Sequence, residues 1–327
     1  FKIAENLAHG WLSNNTVLCR LKRLDRGEDA IRIYSMSFSS LLKEKAMDLV
    51  MPILPKEDLS HWAGRLMHLA LPGPQREGSI ATFAKAYGIN IEEAEKPLSE
   101  YRSIGDFFTR KLKPGARPQA EGFTHPCDSK IAEAGPITAG SLIQAKGIQY
   151  RASDLLGDGA RAERYEQGAF ITYYLCPTDY HRVHIPEAAK AVWRNHIPGA
   201  FWPVNAWSIA KIDNLYSINE RVAVEFETVN GDRFCMVLVA ATNVGNIKID
   251  FDREVSTEPR GSGRQPKACE YQPPISIGKG GEVGLFAMGS TVVMLLEKRL
   301  VDRIGLDAAK LSSFSGRSVQ VGQSIVL

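Results

Sequence analysis

The sequence lacks both the cysteine spacing of disulfide-rich proteins and the long apolar runs of membrane-spanning ones. Its five cysteines are an odd number and form no C-x-x-C pair, which argues against a secreted disulfide framework and favours a reducing compartment. The longest apolar runs, 235–244 and 284–296, are shorter than the roughly 20 residues that a spanning helix needs. We therefore expect no transmembrane segment, and any membrane contact should be peripheral.

The sequence also has little excess charge of either sign. A formal net charge of +3 over 327 residues does not predict nucleic-acid binding, although it permits contact with anionic lipid. The H-E-x-x-H motif of zinc proteases and the G-x-S-x-G motif of serine hydrolases are both absent. These absences remove the usual signals for a metal enzyme and for a common esterase.

The hydrophobic pattern divides the chain into three parts. Residues 1–38 mix basic and acidic side chains and predict a solvated extension of unknown role. Residues 39–117 predict a helical region whose first two helices, within 41–71, either pack on the core or lie in a lipid interface. Two shorter helices are predicted, one from Ser79 to Gly88 and one from Ser103 to the Lys-Pro-Gly at 113–115.

Residues 118–327 read as a β-rich domain. Runs rich in Val, Ile, Tyr and Phe predict strands at 169–176, 222–229, 234–242 and 283–296. Asn230-Gly231 between the second and third run is a strong hairpin signal. The sequence therefore predicts an α+β fold, with an N-terminal helical segment followed by a mainly antiparallel β core of barrel-sandwich type.

One dipeptide near the C-terminus is out of place in an apolar strand. Gly289-Ser290 interrupts the run 284–293, where a core-filling strand needs neither residue. Glycine leaves its carbonyl open to attack, and the Ser290 hydroxyl can fold back onto that carbonyl and convert the amide into an ester. Elimination from such an ester, followed by hydrolysis, would leave a pyruvoyl group at a new N-terminus.

A second motif supplies groups that titrate near neutrality. His181 and His184 lie three residues apart in Asp179-Tyr180-His181-Arg182-Val183-His184, directly after a predicted strand. A metal pair is a poorer interpretation, because no third-ligand pattern accompanies them and Pro186 follows at once. As acid–base groups they could activate a serine and move protons. Because residues three apart face opposite sides of a regular strand, the chain must bend between them if both serve one site.

Several stretches in the same chain order resemble the phosphatidylserine decarboxylase family. Met288-Gly289-Ser290-Thr291 is similar to the family's LGST cleavage site, and 179–186 matches its histidine motif. Pro126-Cys127-Asp128-Ser129 stands where the family has P-x-D-G, with Ser129 replacing the usual glycine. Further similar stretches are 101–110, 144–147, 198–205, 219–222 and 239–245.

The resemblance implies a role for each of these residues. Self-cleavage between Gly289 and Ser290 would use an Asp128–His184–Ser290 triad and give a β chain, 1–289, and an α chain, 290–327, that stay associated. Ser290 would become the pyruvoyl cofactor, which forms a Schiff base with phosphatidylserine in the bilayer, and His181 would act in decarboxylation. No metal is implied.

The resemblance also implies where the protein works and with what. We expect peripheral attachment to the cytoplasmic face of the cell membrane, or to the mitochondrial inner membrane in a eukaryote. The implied products are carbon dioxide and phosphatidylethanolamine. The resemblance leaves open whether the protein forms a homodimer.

Three other functions remain open at this stage. The same Asp128, His184 and Ser290 would serve a serine hydrolase acting on an external ester. A barrel-sandwich binding module would use Gly289-Ser290 only as a turn. A pyruvoyl decarboxylase acting on a soluble amino acid would need no lipid interface.

Overall fold

The structure, a computed structural model, describes residues 18–20, 34–36, 67–69, 71–145, 148–241, 247–256, 265–287 and 290–326. The chain divides into two compact units, Phe1–Pro55 and Lys56–Leu327. In the first unit the described part is one antiparallel pair, β1 (Leu18–Arg20) with β2 (Tyr34–Met36). The predicted helices within 41–71 fall almost entirely outside the described residues.

Short helical elements precede the β region in the described residues 71–117 of the second unit. They are α1 (Gly73–Tyr87), the turns Ile91–Glu93 and Leu98–Glu100, and α2 (Ile104–Phe108). The prediction that Ser79 begins a helix is wrong, because α1 starts six residues earlier and the Ser79 hydroxyl donates to the Gln75 carbonyl inside it. The predicted end is confirmed, since Gly88 closes α1 with φ of +66°.

The start of α2 also follows the prediction, but its end does not. The Ser103 hydroxyl accepts a hydrogen bond from the Asp106 amide at 3.1 Å, as an N-cap should. The helix was expected to continue to Leu112 but ends at Phe108, and Leu112 instead forms a β-bridge with Ala94. This early end makes Thr109 the C-cap of α2 and places Arg110 just beyond the helix.

An eight-stranded antiparallel sheet is the largest sheet among the described residues of the second unit. Its order is β13–β8–β9–β10–β15–β6–β3–β16. The strands are β3 (Ser129–Pro136), β6 (Ala169–Leu175), β8 (Ala189–Ile197), β9 (Arg221–Thr228), β10 (Arg233–Val239), β13 (Lys267–Ile277), β15 (Ser290–Leu296) and β16 (Ser318–Val319). Asn230-Gly231 makes the turn between β9 and β10, with Gly231 at φ of +76°, which confirms the predicted hairpin.

Smaller elements pack around this sheet. A four-stranded sheet has the order β12–β11–β14–β7, with β7 (Arg182–His184), β11 (Ile247–Ile249), β12 (Asp252–Ser256) and β14 (Glu282–Phe286). The remaining elements are β4 (Ser141–Ala145), β5 (Ile148–Arg151), α3 (Ala152–Leu156), α4 (Gly159–Glu163), α5 (Ala206–Lys211), α6 (Leu215–Ile218), α7 (Lys298–Arg303) and the 3-10 turn Leu311–Phe314.

The fold is thus α+β with mainly antiparallel sheets, as the sequence predicts. The sheets of the described residues do not close into a barrel, so the barrel-sandwich type is not confirmed. Within the described part of the chain, no helix is both long enough and apolar enough to cross a membrane.

Three neighbouring strands of the large sheet continue, in the same order, as three strands of the small sheet. β10, β15 and β6 lie side by side in the large sheet, and β11, β14 and β7 lie side by side in the small one. Along the chain, β10 leads to β11, β14 leads to β15, and β6 leads to β7. The run 283–296 was predicted as a single strand, which is wrong: β14 and β15 belong to different sheets and residues 287–289 join them. Hydrophobicity could not reveal this break, because both strands are buried.

Candidate active site

The predicted cleavage site lies where the chain passes between the two sheets. Ser290 is the first residue of β15 and pairs with Leu175, the last residue of β6. Just before the crossing, the Phe286 amide donates to the His181 carbonyl at 3.1 Å. The described residues on either side of this crossing, Phe286 and Ser290, therefore both pair with the neighbouring segment 175–181. Gly289 and the Ser290 side chain lie outside the described part of the structure.

His184 is held at the end of β7 by two hydrogen bonds. Its Nδ1 lies 2.8 Å from the Gly280 carbonyl oxygen, and its Nε2 lies 3.1 Å from the Tyr180 hydroxyl. A carbonyl oxygen can only accept, so Nδ1 carries the proton and Nε2 of the neutral ring is left as the basic nitrogen. The Tyr180 ring also stacks on the imidazole, with 5.6 Å between centroids. This arrangement fixes both the tautomer and the orientation of a general base.

Asp128 lies near this histidine but its hydrogen bonds go elsewhere. The Arg117 guanidinium donates to both carboxylate oxygens at 2.6–3.0 Å, and the Val321 amide donates at 2.9 Å. Burial opposes the charge of Arg117, but its hydrogen bonds to Asp128 and Glu93 raise its pKa overall. Asp128 acts on His184 through its charge, which favours the protonated imidazole but less than the charge of Glu282 does. The orienting hydrogen bond predicted for Asp128 is made by the Gly280 carbonyl.

His181 directly precedes β7, just after the turn at 177–179, and is fully buried. Its carbonyl accepts from the Phe286 amide on β14, so the bend that the sequence analysis requires between the two histidines is not found in the described segment 181–184. Its Nδ1 lies 2.9 Å from the Asp179 carbonyl oxygen, so that nitrogen carries the proton. Its Nε2 has no hydrogen-bond partner among the described residues. The Phe108 ring covers one side, with 4.0 Å between centroids.

Burial keeps these histidines neutral. It lowers the pKa of His181 to about 3, and a bond to the Asp179 carbonyl offsets only part of this. Burial likewise lowers the pKa of His184. His125, which lies 3.0 Å from the Tyr173 hydroxyl through Nδ1, has its pKa lowered by burial to about 4. At neutral pH, these imidazoles are therefore uncharged.

We predict that mild acid destabilises the fold through these rings. In the unfolded chain, both histidines take up a proton below about pH 6.5. In the folded chain, His125 does so only near pH 4 and His181 only near pH 3. Protonation therefore favours the unfolded chain, and stability that is present above pH 6.5 is lost as the pH falls. At pH 5 the loss should be roughly 2 kcal/mol per buried ring. Urea unfolding of the Ser290→Ala chain at pH 7.5 and pH 5 measures it.

His125→Gln should flatten this pH dependence, whereas the same change at the exposed His68 should leave it as it was. A free energy of unfolding that stays constant between these two pH values would contradict the burial account.

Sequence reasoning found the two histidines but gave no role to three groups that hold the site. Tyr180 lies inside the histidine motif, so its position was the available signal. Gly280 acts through its backbone carbonyl, and a carbonyl has no signature in the sequence. Arg117 pairs with Asp128 across a turn, which only the folded chain brings together.

Comparisons with known proteins identify the family of this chain. The family model for phosphatidylserine decarboxylase matches residues 104–327. A protein of Anaeromyxobacter sp. (strain K) is 41% identical over 248 residues, which cover 75% of this chain and 87% of that protein. One of Myxococcus xanthus (strain DK1622) is 40% identical over 77% of this chain and 89% of its own length.

A third relative, from Shewanella sp. (strain W3-18-1), is 40% identical over 76% of this chain and 88% of its own length. All three are named phosphatidylserine decarboxylase proenzyme. The matched region contains α2, both sheets and every predicted site residue. The chain therefore belongs to the phosphatidylserine decarboxylase family.

Proposed function

We propose that this protein decarboxylates phosphatidylserine with a pyruvoyl group that it makes from its own Ser290. The observation that carries the proposal is the crossing between the sheets, where Phe286 and Ser290, on either side of residues 287–289, pair with the segment that carries His181. Fixed flanking residues restrict the conformations of the intervening chain, which favours intramolecular attack. Relatives named as proenzymes support self-processing.

In the proposed cleavage, His184 acts on Ser290. Nε2 of His184 takes the hydroxyl proton while Oγ attacks the Gly289 carbonyl carbon; the peptide C–N bond then breaks, and the released amine takes a proton. Loss of the Cα proton and breakage of the Cβ–O bond free Gly289 as a carboxylate. Water then hydrolyses the resulting dehydroalanine and releases ammonia. Asp128 stabilises the protonated imidazole through its charge.

Tyr180 has a specific part in this step. Its hydroxyl occupies Nε2 of His184, the nitrogen that must accept the serine proton. The tyrosine must therefore either rotate away or pass the proton along its own hydroxyl. Burial raises the pKa of Tyr180, which keeps this hydroxyl protonated and able to donate.

The two products of cleavage are expected to stay together. β15 begins at Ser290 and lies between β10 and β6, and its residues Val292–Leu296 are fully buried. β16, which also belongs to the α chain, pairs with β3. Separation would expose a central strand of the sheet, so the cut chain should remain one folded body.

A pyruvoyl group at this position fits the chain around it. It supplies a ketone that condenses with the substrate amine and accepts the electron pair released as carbon dioxide leaves. His181 beside this crossing is neutral and fully buried, which suits a reaction that forms a neutral gas from a carboxylate. Its Nε2, free of protein partners among the described residues, would first take a proton from the substrate ammonium group and then return it to the carbon that loses the carboxyl group.

Because the proposed substrate lies in a bilayer, part of the chain must contact the membrane. We place residues 118–327 as the catalytic domain and 39–117 as the region that contacts the membrane interface, with a peripheral position on its cytoplasmic face. A homodimer is compatible with this arrangement. The role of residues 1–38 stays open.

The proposal is tested with phosphatidylserine that carries label in its carboxyl group. The purified protein should release labelled carbon dioxide from vesicles and leave phosphatidylethanolamine, without added cofactor, and hydroxylamine should block it by reacting with the ketone. Hydrolysis of simple esters by an intact chain would favour the serine hydrolase instead. Equal activity on free serine would favour a decarboxylase of soluble amino acids.

A further inference from the structure

Arg110 is a buried arginine that makes no ion pair within the described part of the chain. Its side chain is 5% exposed, and its Nε and Nη1 atoms have no hydrogen-bond partner there. The carboxylates whose charge it feels most, Asp128 and Glu93, are hydrogen-bonded to Arg117 instead. Phe107 covers one face of the guanidinium at 5.2 Å. The cation is thus shielded from water without a direct counterion.

Two contacts hold Arg110 beside the histidine motif. Two residues earlier, the Phe108 ring packs on His181. One residue earlier, the Thr109 carbonyl accepts hydrogen bonds at 2.8–2.9 Å from Arg182, which lies between the two histidines on β7. Arg182 is itself fixed by a two-oxygen contact with Glu282 at 2.6–2.8 Å. The backbone that carries Arg110 therefore has a fixed position relative to the site.

A buried guanidinium without a counterion is costly, so the site calls for an anion. Removing such a group from water costs several kcal/mol unless hydrogen bonds and an opposite charge replace the water. Burial also lowers the pKa of Arg110, although the nearby acidic groups oppose that effect. Guanidinium is the side chain best matched to phosphate and carboxylate oxygens.

We propose that Arg110 binds the phosphodiester of the aminophospholipid substrate. The inference rests on the proposed function and adds the residue that recognises the headgroup. The substrate carries two anionic groups, and only the phosphodiester keeps its charge throughout the reaction. A guanidinium on the carboxylate would stabilise the charge that must leave as neutral carbon dioxide, and so would slow the chemical step.

This assignment couples substrate binding to the state of His181. The charge of Arg110 disfavours protonation of His181, in addition to the larger effect of burial. A phosphodiester on Arg110 would offset that charge, so binding of the substrate would remove the part of the lowering of the His181 pKa that Arg110 contributes.

The test compares Arg110→Gln with the matched variant Arg102→Gln, which changes an exposed arginine of the same segment. We expect Arg110→Gln to split and form its pyruvoyl group like the parent, while KM for phosphatidylserine rises roughly 10- to 100-fold, the value of a lost charged hydrogen bond. Arg110→Lys, which keeps the charge, should recover part of this loss. Arg102→Gln should match the parent.

A binding measurement without catalysis completes the test. On the Ser290→Ala chain, glycerophosphoserine should bind at least about tenfold more weakly once Arg110 is Gln, as expected from the same lost contact. Binding of free serine, which has no phosphate, should not change. If Arg110→Gln is active with unchanged KM and unchanged glycerophosphoserine binding, the role of Arg110 in phosphate binding is wrong, while the proposed function still stands.

Two further results would also count against the assignment. Loss of splitting in both Arg110→Gln and Arg110→Lys would make the residue structural. A parent protein that never splits or releases carbon dioxide would instead contradict the proposed function.

Discussion

Replacing Ser290 by Ala is expected to leave the chain in one piece and without decarboxylase activity. The methyl group cannot attack the Gly289 carbonyl and cannot become a ketone, so both the cut and the electron sink are lost. His184→Ala should have a related effect, because Nε2 is the proposed base for the serine proton: splitting should slow by roughly 10²- to 10⁴-fold. Denaturing gels taken over time after purification measure the fraction split.

Two variants serve as controls for that result. Ser276→Ala changes an exposed serine on β13 and should split normally. Tyr180→Phe removes the hydroxyl that bonds His184 Nε2 but keeps the stacked ring, so it separates the two possible roles of Tyr180. Faster splitting would mean that the hydroxyl blocks the base, and slower splitting that it relays the proton. Normal splitting of His184→Ala would remove His184 from the cleavage mechanism.

Replacing His181 by Ala is expected to separate cleavage from decarboxylation. The chain should still split at Ser290, because the proposed base of that step is His184. Decarboxylation should fall by roughly 10²- to 10⁴-fold, since no other described side chain is assigned to supply the proton. The measurement pairs carbon dioxide release with a count of pyruvoyl groups by carbonyl labelling, so that activity is expressed per formed cofactor.

The matched variant for His181 is His196→Ala. His196 is also buried but bonds Glu220 at 3.0 Å, and we assign it no part in the chemistry. Any loss that it shows reports only on stability. An equal loss per pyruvoyl group in the two variants would remove His181 from the reaction. Failure of His181→Ala to split would give it a role in cleavage as well.

The sequence predicted best those features that are local in the chain. Gly88 and Ser103 mark helix ends because their backbone and side-chain chemistry acts within one turn. Asn230-Gly231 marks a hairpin for the same reason. The run 283–296 was wrongly predicted as one strand because the residues before and after the sheet crossing are both hydrophobic and buried. Hydrophobicity does not indicate which sheet a strand joins.

The same difference between local and long-range features applies to the candidate site. The two histidines and the Gly-Ser pair carry side-chain chemistry in recognisable spacing, so the sequence indicated them. The groups that orient them come from far along the chain: Gly280 is 96 residues from His184. The unpaired state of Arg110 is a property of the fold, since it depends on Arg117 taking the nearby carboxylates.

The mass of the purified protein under denaturing conditions tests the central claim most directly. The account predicts two species, one ending at Gly289 and one beginning at position 290, the latter lighter by one ammonia than a chain that starts with serine. Ser290→Ala should give a single full-length mass. An active protein of full-length mass, with an unmodified serine at 290, would contradict the account.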